Sequence, residues 1–320
     1  MTDGAELPAI LIASGPWSAE PWATAIRRRE PDRPLTCWPN SGAPEDVAYL
    51  LAWKPPAAAL EGLVNLKLVF SLGAGVDHLL AHNSLPDVPI VRIISDDLAE
   101  RMTEWITLQV LIHHRQQRAY DRAQAARIWR ERPQPPASDV RVGIMGMGVL
   151  GRKAAGVLVQ LGFQVAGWSR DELPLAGVET FAGEAGLDPF LARTDILVCL
   201  LPLTPSTRHI LSRPLFEKLA GDGALGGPIV INAGRGGHQI EADIDHCLDD
   251  GTLIGASLDV FESEPLDPDS PLWRQSNAVV TPHISAPSDP EALAANIHRQ
   301  ILAHEADQPL HGVINREAGY

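Results

Sequence analysis

Short apolar runs alternate with segments of helical spacing from Ala9 to Leu302, and a glycine triplet at Gly146, Gly148 and Gly151 stands between one such run and a helix. Polar residues gather where several of the runs end. These three observations predict an α/β protein of two domains with doubly wound parallel sheets, the second domain inserted into the first. A length of 320 residues suits two domains at roughly 150 residues each.

The first run is Ala9 to Ala13, read as a strand, followed by helical spacing over Trp17 to Arg29 and proline punctuation from Pro31 to Pro44. Asp46 to Trp53 reads as the next strand, stopped by Lys54-Pro55-Pro56. Ala57 to Leu63 is expected to be helical, and Lys67 to Leu72 is a strand that ends in Gly73-Ala74-Gly75-Val76. Open α/β sheets bind ligands at the carboxyl ends of their strands, and two glycines there expose backbone N–H groups to an anion. A tight turn without a ligand is the other reading of that loop. After the run Pro89 to Ile94, the Ala-, Gln- and Arg-rich stretch Leu98 to Arg130 is expected to be a long crossover helix, ended by Pro133 to Pro136.

Val140 to Ile144 is an apolar run suited to a buried parallel strand. It runs into the G-x-G-x-x-G turn, in which Gly146 permits the tight bend, Gly148 lets a pyrophosphate approach, and Gly151 lets the next helix lie close. The helix continues to Leu161, and Gln164 to Trp168 follows as a strand, completing a βαβ unit whose helix N-terminus favours an anion. An acidic residue normally ends the second strand of a unit that holds NAD by its ribose. Here the residues are Trp168-Ser169-Arg170, a hydroxyl and a guanidinium that can meet a 2′-phosphate. The reading is NADP(H) preferred, with NAD(H) possible because Asp171 and Glu172 weaken the local positive field. A solvated loop charge is the alternative for Arg170. Further on, Phe181 to Leu191 carries a short helix, Thr194 to Leu201 a buried strand, Leu211 to Leu219 a helix and Pro228 to Asn232 a strand. Glu241 to Asp250 is a helix, Leu253 to Val260 and Ala278 to Thr281 are strands, and a tail helix over Asp289 to Leu302 returns to the first domain.

Twenty-six Lys and Arg against 40 Asp and Glu leave a net charge of −14, which argues against nucleic acid or an anionic membrane surface as a partner. The odd set Cys37, Cys199 and Cys247 gives neither a disulfide framework nor a zinc pattern, and no metal is expected. No basic segment precedes Ala9 to Ala13, and no run approaches the about 18 apolar residues of a membrane span. The expectation is a cytoplasmic protein of bacterial type.

Three strand ends of the second half carry chemistry: Asn232-Ala233-Gly234-Arg235-Gly236, Asp259 to Pro265 with Glu264, and Thr281-Pro282-His283. With the glycine loop, these segments resemble the signature segments of the D-isomer-specific 2-hydroxyacid dehydrogenases. Ser71 to Asp77, Trp168 to Arg170, Ser270 to Trp273 and the terminal Gly319-Tyr320 most resemble the glyoxylate/hydroxypyruvate reductase A branch. The resemblance covers nearly the whole chain and implies two Rossmann-like or flavodoxin-like domains, with residues 1–97 and 286–320 binding substrate and 98–285 binding NAD(P). It assigns Arg235, Glu264 and His283 to the chemistry. A histidine, with an ordinary pKa near 6.5, suits the acid that protonates a keto oxygen. Glu264 would orient its ring and favour its protonated form. Arg235 would grip the substrate carboxylate bidentately and polarise the carbonyl, while the N–H groups of Ala74, Gly75 and Val76 take the other oxygens. On this reading the substrate bridges the two domains and closure completes the site.

By the same resemblance Val149, Leu150, Leu201, Pro202, Thr207, Ala233 and Gly234 would line the cofactor, Asn232 and Asp259 would reach its nicotinamide or ribose, and Trp53 would stand on the substrate side. Ala233 and Gly237 are smaller than the residues usual beside the arginine, Gly221 to Gly227 is a long connection, and no further basic residue follows Arg170. These departures bear on pocket volume and cofactor ratio. The expected activity is NADPH-dependent reduction of a small 2-keto acid, glyoxylate or hydroxypyruvate, to the D-2-hydroxy acid. A dehydrogenase of a bulkier D-2-hydroxy acid and a dinucleotide-sensing binding protein are the competing readings. The resemblance further implies a homodimer joined through the Leu98 to Arg130 region.

Overall fold

Each apolar run read as a strand lies in a parallel sheet of the computed structural model, which describes residues 7–93 and 95–319. Ile94, at the end of the run Pro89 to Ile94, and Tyr320 lie outside the described residues. The chain divides into two units, Met1–Leu98 with Ser288–Tyr320, and Ala99–Pro287. In chain order the first unit carries β1 (Ala9–Ala13), α1 (Glu20–Arg27), β2 (Leu35–Cys37), β3 (Val47–Ala52), β4 (Leu68–Ser71), α2 (Asp77–Leu80) and β5 (Ile90–Arg92). Then come α3 (Asp96–His114), α4 (Gln117–Ala125), β6 (Arg141–Met145), α5 (Val149–Gln160), β7 (Gln164–Ser169), β8 (Val178–Ala182), α6 (Leu187–Ala192) and β9 (Ile196–Cys199). The second unit goes on with α7 (Arg213–Phe216), β10 (Ile229–Asn232), α8 (Glu241–Asp250), β11 (Gly255–Leu258) and β12 (Ala278–Val280), and α9 (Pro290–Glu305) belongs to the first.

The smaller sheet runs β2-β1-β3-β4-β5, the flavodoxin-like order. Its inner strands are buried on both faces, which explains their continuous apolar runs. One face packs Ile10, Ile12 and Phe70 against Ile26 of α1 and Leu293, Ile297 and Ile301 of α9, so the tail helix completes the first unit's core. The larger sheet runs β12-β11-β10-β9-β6-β7-β8, a doubly wound order that reverses direction between β6 and β9.

The sequence reading differs from the structure at identifiable places. The stretch Leu98 to Arg130 is two helices, broken where Gln116 turns left-handed with φ 53°. Its side-chain amide bonds Pro133 O at 2.6 Å and accepts from Arg132 at 2.7 Å, tertiary bonds that no local glycine or proline announces. Two edge strands, β2 and β8, were not expected. β2 is three residues inside the proline-punctuated segment, and β8 is half-exposed with weak alternation. Ala57–Leu60 forms a 3₁₀ turn rather than a longer helix, and only Arg213–Phe216 of the expected Leu211 to Leu219 segment is α-helical.

A buried chain of side chains joins α3 to the sheet. His113 Nε2 lies 2.8 Å from Ser257 Oγ, which donates to Gln109 Oε1 at 2.9 Å. Burial pushes the His113 pKa down to about 4, with Arg118 adding to the effect. The folded state therefore favours neutral His113. Its contribution is complete above the unfolded value near 6.5 and is lost as pH falls from there toward 4, by up to about 3 kcal/mol. In denaturant titrations at pH 7.5 and pH 4.5, His113→Gln is expected to lose less stability between the two than the parent; equal losses would refute this assignment.

Candidate active site

Three neighbouring strands deliver the polar segments side by side. Asn232 at the end of β10 pairs with Leu258 of β11, and Leu258 pairs with Val280 of β12, so their following loops emerge at neighbouring positions on one sheet edge. His283 lies in the β12 loop at φ 54°, held there because its N–H donates to Asp259 O at 2.8 Å and Thr281 O at 3.1 Å. A left-handed non-glycine residue costs on the order of 1 kcal/mol, which these bonds offset. Its Nδ1 faces both oxygens of Glu264, at 3.0 and 2.9 Å. A carboxylate only accepts, so Nδ1 carries a proton, and Nε2 stands on the opposite side of the ring. Both side chains are partly exposed, so the pair is reachable from one side.

Asp259 is fully buried, and its carboxylate accepts from Thr281 Oγ1 at 2.6 Å, Ile284 N at 2.9 Å and Ser285 N at 2.8 Å. Those bonds compensate the buried charge and pin the loop that carries His283. Asn232, also fully buried, does the same for the arginine loop. Its Oδ1 accepts from Gly234 N at 3.0 Å, and its Nδ2 donates to Arg235 O at 3.1 Å and Gln239 Oε1 at 2.8 Å. Both side chains brace their loops through these bonds. Gln239 in turn donates to Val260 O at 2.9 Å and ties the two loops together. Arg235 is half-buried, with Nη1 on Gly234 O at 2.7 Å and its backbone N–H donating to His238 Nδ1 at 3.1 Å. Sequence reasoning missed His238 and Gln239. They are polar residues buried by tertiary packing, and nothing local marks them.

The glycine loop has the shape its spacing requires. Gly146 adopts φ 104°, and a Cβ on Gly151 would strike the carbonyl of Gly146, so only glycine lets α5 pack there. Around Gly148 the space is open, leaving a cradle over the N-terminal turn formed by Val149 and Leu150 that a pyrophosphate fits. The loop after β9 holds Leu201 and Pro202, with Thr207 Oγ1 closing it on Pro202 O at 2.7 Å. Ala233 is buried between its neighbours, its N–H on Cys199 O. Along the edge the candidate residues therefore follow one another from β12 through β11, β10, β9 and β6 to β7. Adjacent strands lie roughly 4.8 Å apart, so five intervals make a row of about 24 Å, suited to an extended dinucleotide.

At the β7 end, the Trp168 indole donates to Gly183 O at 2.8 Å and anchors the strand end. Ser169 donates to Asp171 O at 2.6 Å, and Arg170 pairs with Asp171 at 3.1 Å, both side chains largely exposed. In the first unit, Trp53 is 5% exposed, stacked on Trp17 at 4.8 Å and tilted against His78 at 4.5 Å. It supports the Gly73 loop from beneath. The Ser71 hydroxyl lies 3.0 Å from Gly73 O and 2.8 Å from Gly75 O, closing the turn that holds Ala74 and Val76.

Comparisons with known proteins identify the family. Residues 107–285 match the family profile described as D-isomer specific 2-hydroxyacid dehydrogenase, NAD binding domain. Among solved structures, an NADPH-dependent glyoxylate/hydroxypyruvate reductase from Sinorhizobium meliloti, in complex with NADP and sulfate, is 47% identical. The match covers 98% of this chain and 99% of that one, with a TM-score of 0.93. A probable 2-hydroxyacid dehydrogenase from Rhizobium etli, in complex with NADP, HEPES and L(+)-tartaric acid, is 45% identical over 98% and 100% of the two chains, with a TM-score of 0.91. A D-isomer specific 2-hydroxyacid dehydrogenase from Xanthobacter autotrophicus, in complex with NADPH and MES, is 36% identical over the same shares, with a TM-score of 0.92. With its doubly wound sheets, its glycine cradle and its Arg235, Glu264 and His283 at neighbouring strand ends, this chain belongs to the D-isomer-specific 2-hydroxyacid dehydrogenase family.

Proposed function

We propose that the protein is an NADPH-dependent reductase of small 2-keto acids, glyoxylate and hydroxypyruvate, yielding D-2-hydroxy acids. The observation that carries this reading is the bidentate His283–Glu264 pair on the strand next but one to Arg235, in line with a dinucleotide cradle. The nicotinamide, when bound, supplies a hydride to the keto carbon. Arg235 holds the substrate carboxylate and polarises the carbonyl. His283, protonated at both nitrogens, releases the Nε2 proton to the carbonyl oxygen as it becomes a hydroxyl, and Glu264 keeps the ring in place throughout. The N–H groups of Ala74, Gly75 and Val76 are assigned the lone pairs that Arg235 leaves open on the same carboxylate, and Trp53 supports them. The test is the initial rate of nicotinamide oxidation with each acid, NADPH and NADH in parallel; no consumption with either acid would sink the reading.

Ser169 and Arg170 are assigned the 2′-phosphate. Arg170 pairs with the exposed Asp171, an interaction worth about 0–1 kcal/mol and easily exchanged for a phosphate. Arg170→Ala is expected to raise the KM for NADPH roughly tenfold and leave that for NADH nearly unchanged. Equal effects on both would reassign the residue.

The reading places the enzyme in the cytoplasm, where Cys37, Cys199 and Cys247 remain free thiols. Among the described residues no helix is long and apolar enough to cross a membrane. The net charge of −14 speaks against nucleic acid. Leu108, Ile128 and Trp129 are 53, 54 and 97% exposed along α3 and the segment after α4, an unusual exposure of large apolar groups that supports a homodimer through this region. Sedimentation should give twice the chain mass, shifting toward one chain in a Leu108→Asp/Trp129→Ala variant. A parent mass of one chain would refute the dimer.

A further inference from the structure

Arg92 ends β5, and its register partner is Ser71, the last residue of β4. Paired residues of neighbouring parallel strands project to the same face. Ser71 directs its hydroxyl to Gly73 O and Gly75 O, so the Gly73 to Val76 loop folds over the face that Arg92 also occupies. Among the described residues, the N–H groups of Gly73, Ala74 and Gly75 have no backbone or side-chain acceptor. Arg92 is half-buried, and among the described residues no carboxylate or carbonyl takes its guanidinium. Arg33 and Arg141, by contrast, are answered by Glu30 at 3.0 Å and by Asp195 at 2.7 Å. Burial lowers the Arg92 pKa and no acidic neighbour offsets it. A half-buried guanidinium without a protein partner among the described residues, at the carboxyl end of a strand and beside open N–H groups, is placed to take an oxygen ligand.

We propose that Arg92 is a specificity-determining residue that hydrogen-bonds an oxygen substituent on C3 of the substrate, the hydroxyl of hydroxypyruvate. The inference rests on the reading above that the Gly73 to Val76 loop takes the substrate carboxylate. With that carboxylate at the loop's N–H groups and the keto carbon next to it, the C3 substituent is the remaining polar part of so small a molecule. Glyoxylate has no C3, and pyruvate has a bare methyl there. Arg92 therefore discriminates among acids that share every other contact.

The experiment compares kcat/KM for glyoxylate, pyruvate and hydroxypyruvate at saturating NADPH in the parent, Arg92→Met and Arg92→Lys. Hydrogen bonds to a charged group lead to an expected loss of about 10- to 100-fold for hydroxypyruvate in Arg92→Met. Glyoxylate and pyruvate should stay within about threefold, and Arg92→Lys should fall in between. Protection against thermal unfolding by D-glycerate over glycolate, in the presence of NADP, should shrink in parallel and gives a readout apart from turnover. A similar loss on all three acids would overturn the proposal and make Arg92 a holder of the shared carboxylate or of the loop, and an unchanged hydroxypyruvate-to-pyruvate ratio would overturn it too. A parent inactive on every acid would bring down the reductase reading, and this inference with it; activity on glyoxylate with no C3 discrimination brings down this inference alone.

Discussion

His283→Gln is expected to lower kcat for glyoxylate and hydroxypyruvate by about 10²- to 10⁴-fold, the usual contribution of a positioned general acid. NADPH affinity, measured by fluorescence titration, should stay within about threefold. Glutamine keeps a polar side chain of comparable reach but delivers no proton. The backbone of residue 283 is held by Asp259 O and Thr281 O and the loop by the Asp259 carboxylate, none of which involves the imidazole. The loop should therefore survive, although glutamine at φ 54° retains the strain that histidine already bears. Glu264→Gln should fall between parent and His283→Gln, since an amide can still accept from Nδ1 but no longer stabilises the imidazolium that donates. Turnover within threefold of the parent in His283→Gln would show that another group supplies the proton.

Arg235→Lys should cost about 10²- to 10³-fold in kcat/KM, with KM for the keto acid raised and kcat lowered together. Lysine retains the charge but not the planar fork that meets two carboxylate oxygens, and a lost oxyanion donor typically costs that much. Gly236→Ala offers a check on position apart from charge. A Cβ there would collide with the carbonyl of Phe261, which is backbone and cannot swing aside, so the loop must shift with Arg235 intact. Comparable losses in the two variants, with NADPH affinity little changed in Arg235→Lys, would show that the placement of the guanidinium matters as much as its presence. A kcat/KM within tenfold of the parent for Arg235→Lys would remove the arginine from the substrate's carboxylate.

Much of this protein is determined by sequence alone because its signals are local. Continuous apolar runs such as Ile10 to Ala13 and Ile229 to Ile231 specify strands buried on both faces, and such strands are parallel. Gly146, Gly148 and Gly151 specify a turn that few other residues can make, and the strand ends with Arg235, Glu264 and His283 stand where this sheet class binds ligands. Tertiary structure decided what depends on partners distant in the chain. The break at Gln116 follows from bonds to Pro133 and Arg132, and the short edge strands β2 and β8 exist because a neighbour offers a ladder. The bracing of the loops by Asp259 and Asn232 was set only when folding surrounded them with loop N–H groups and amides. Gln239 acquired its bridging role only when β10 and β11 came side by side. Arg92, a lone charge at the end of an apolar run, gained meaning from its register with Ser71. Spacing along the chain reports backbone conformation and the chemistry of side chains, whereas burial and hydrogen-bond partnership across tens to hundreds of residues are set only when the strands pair.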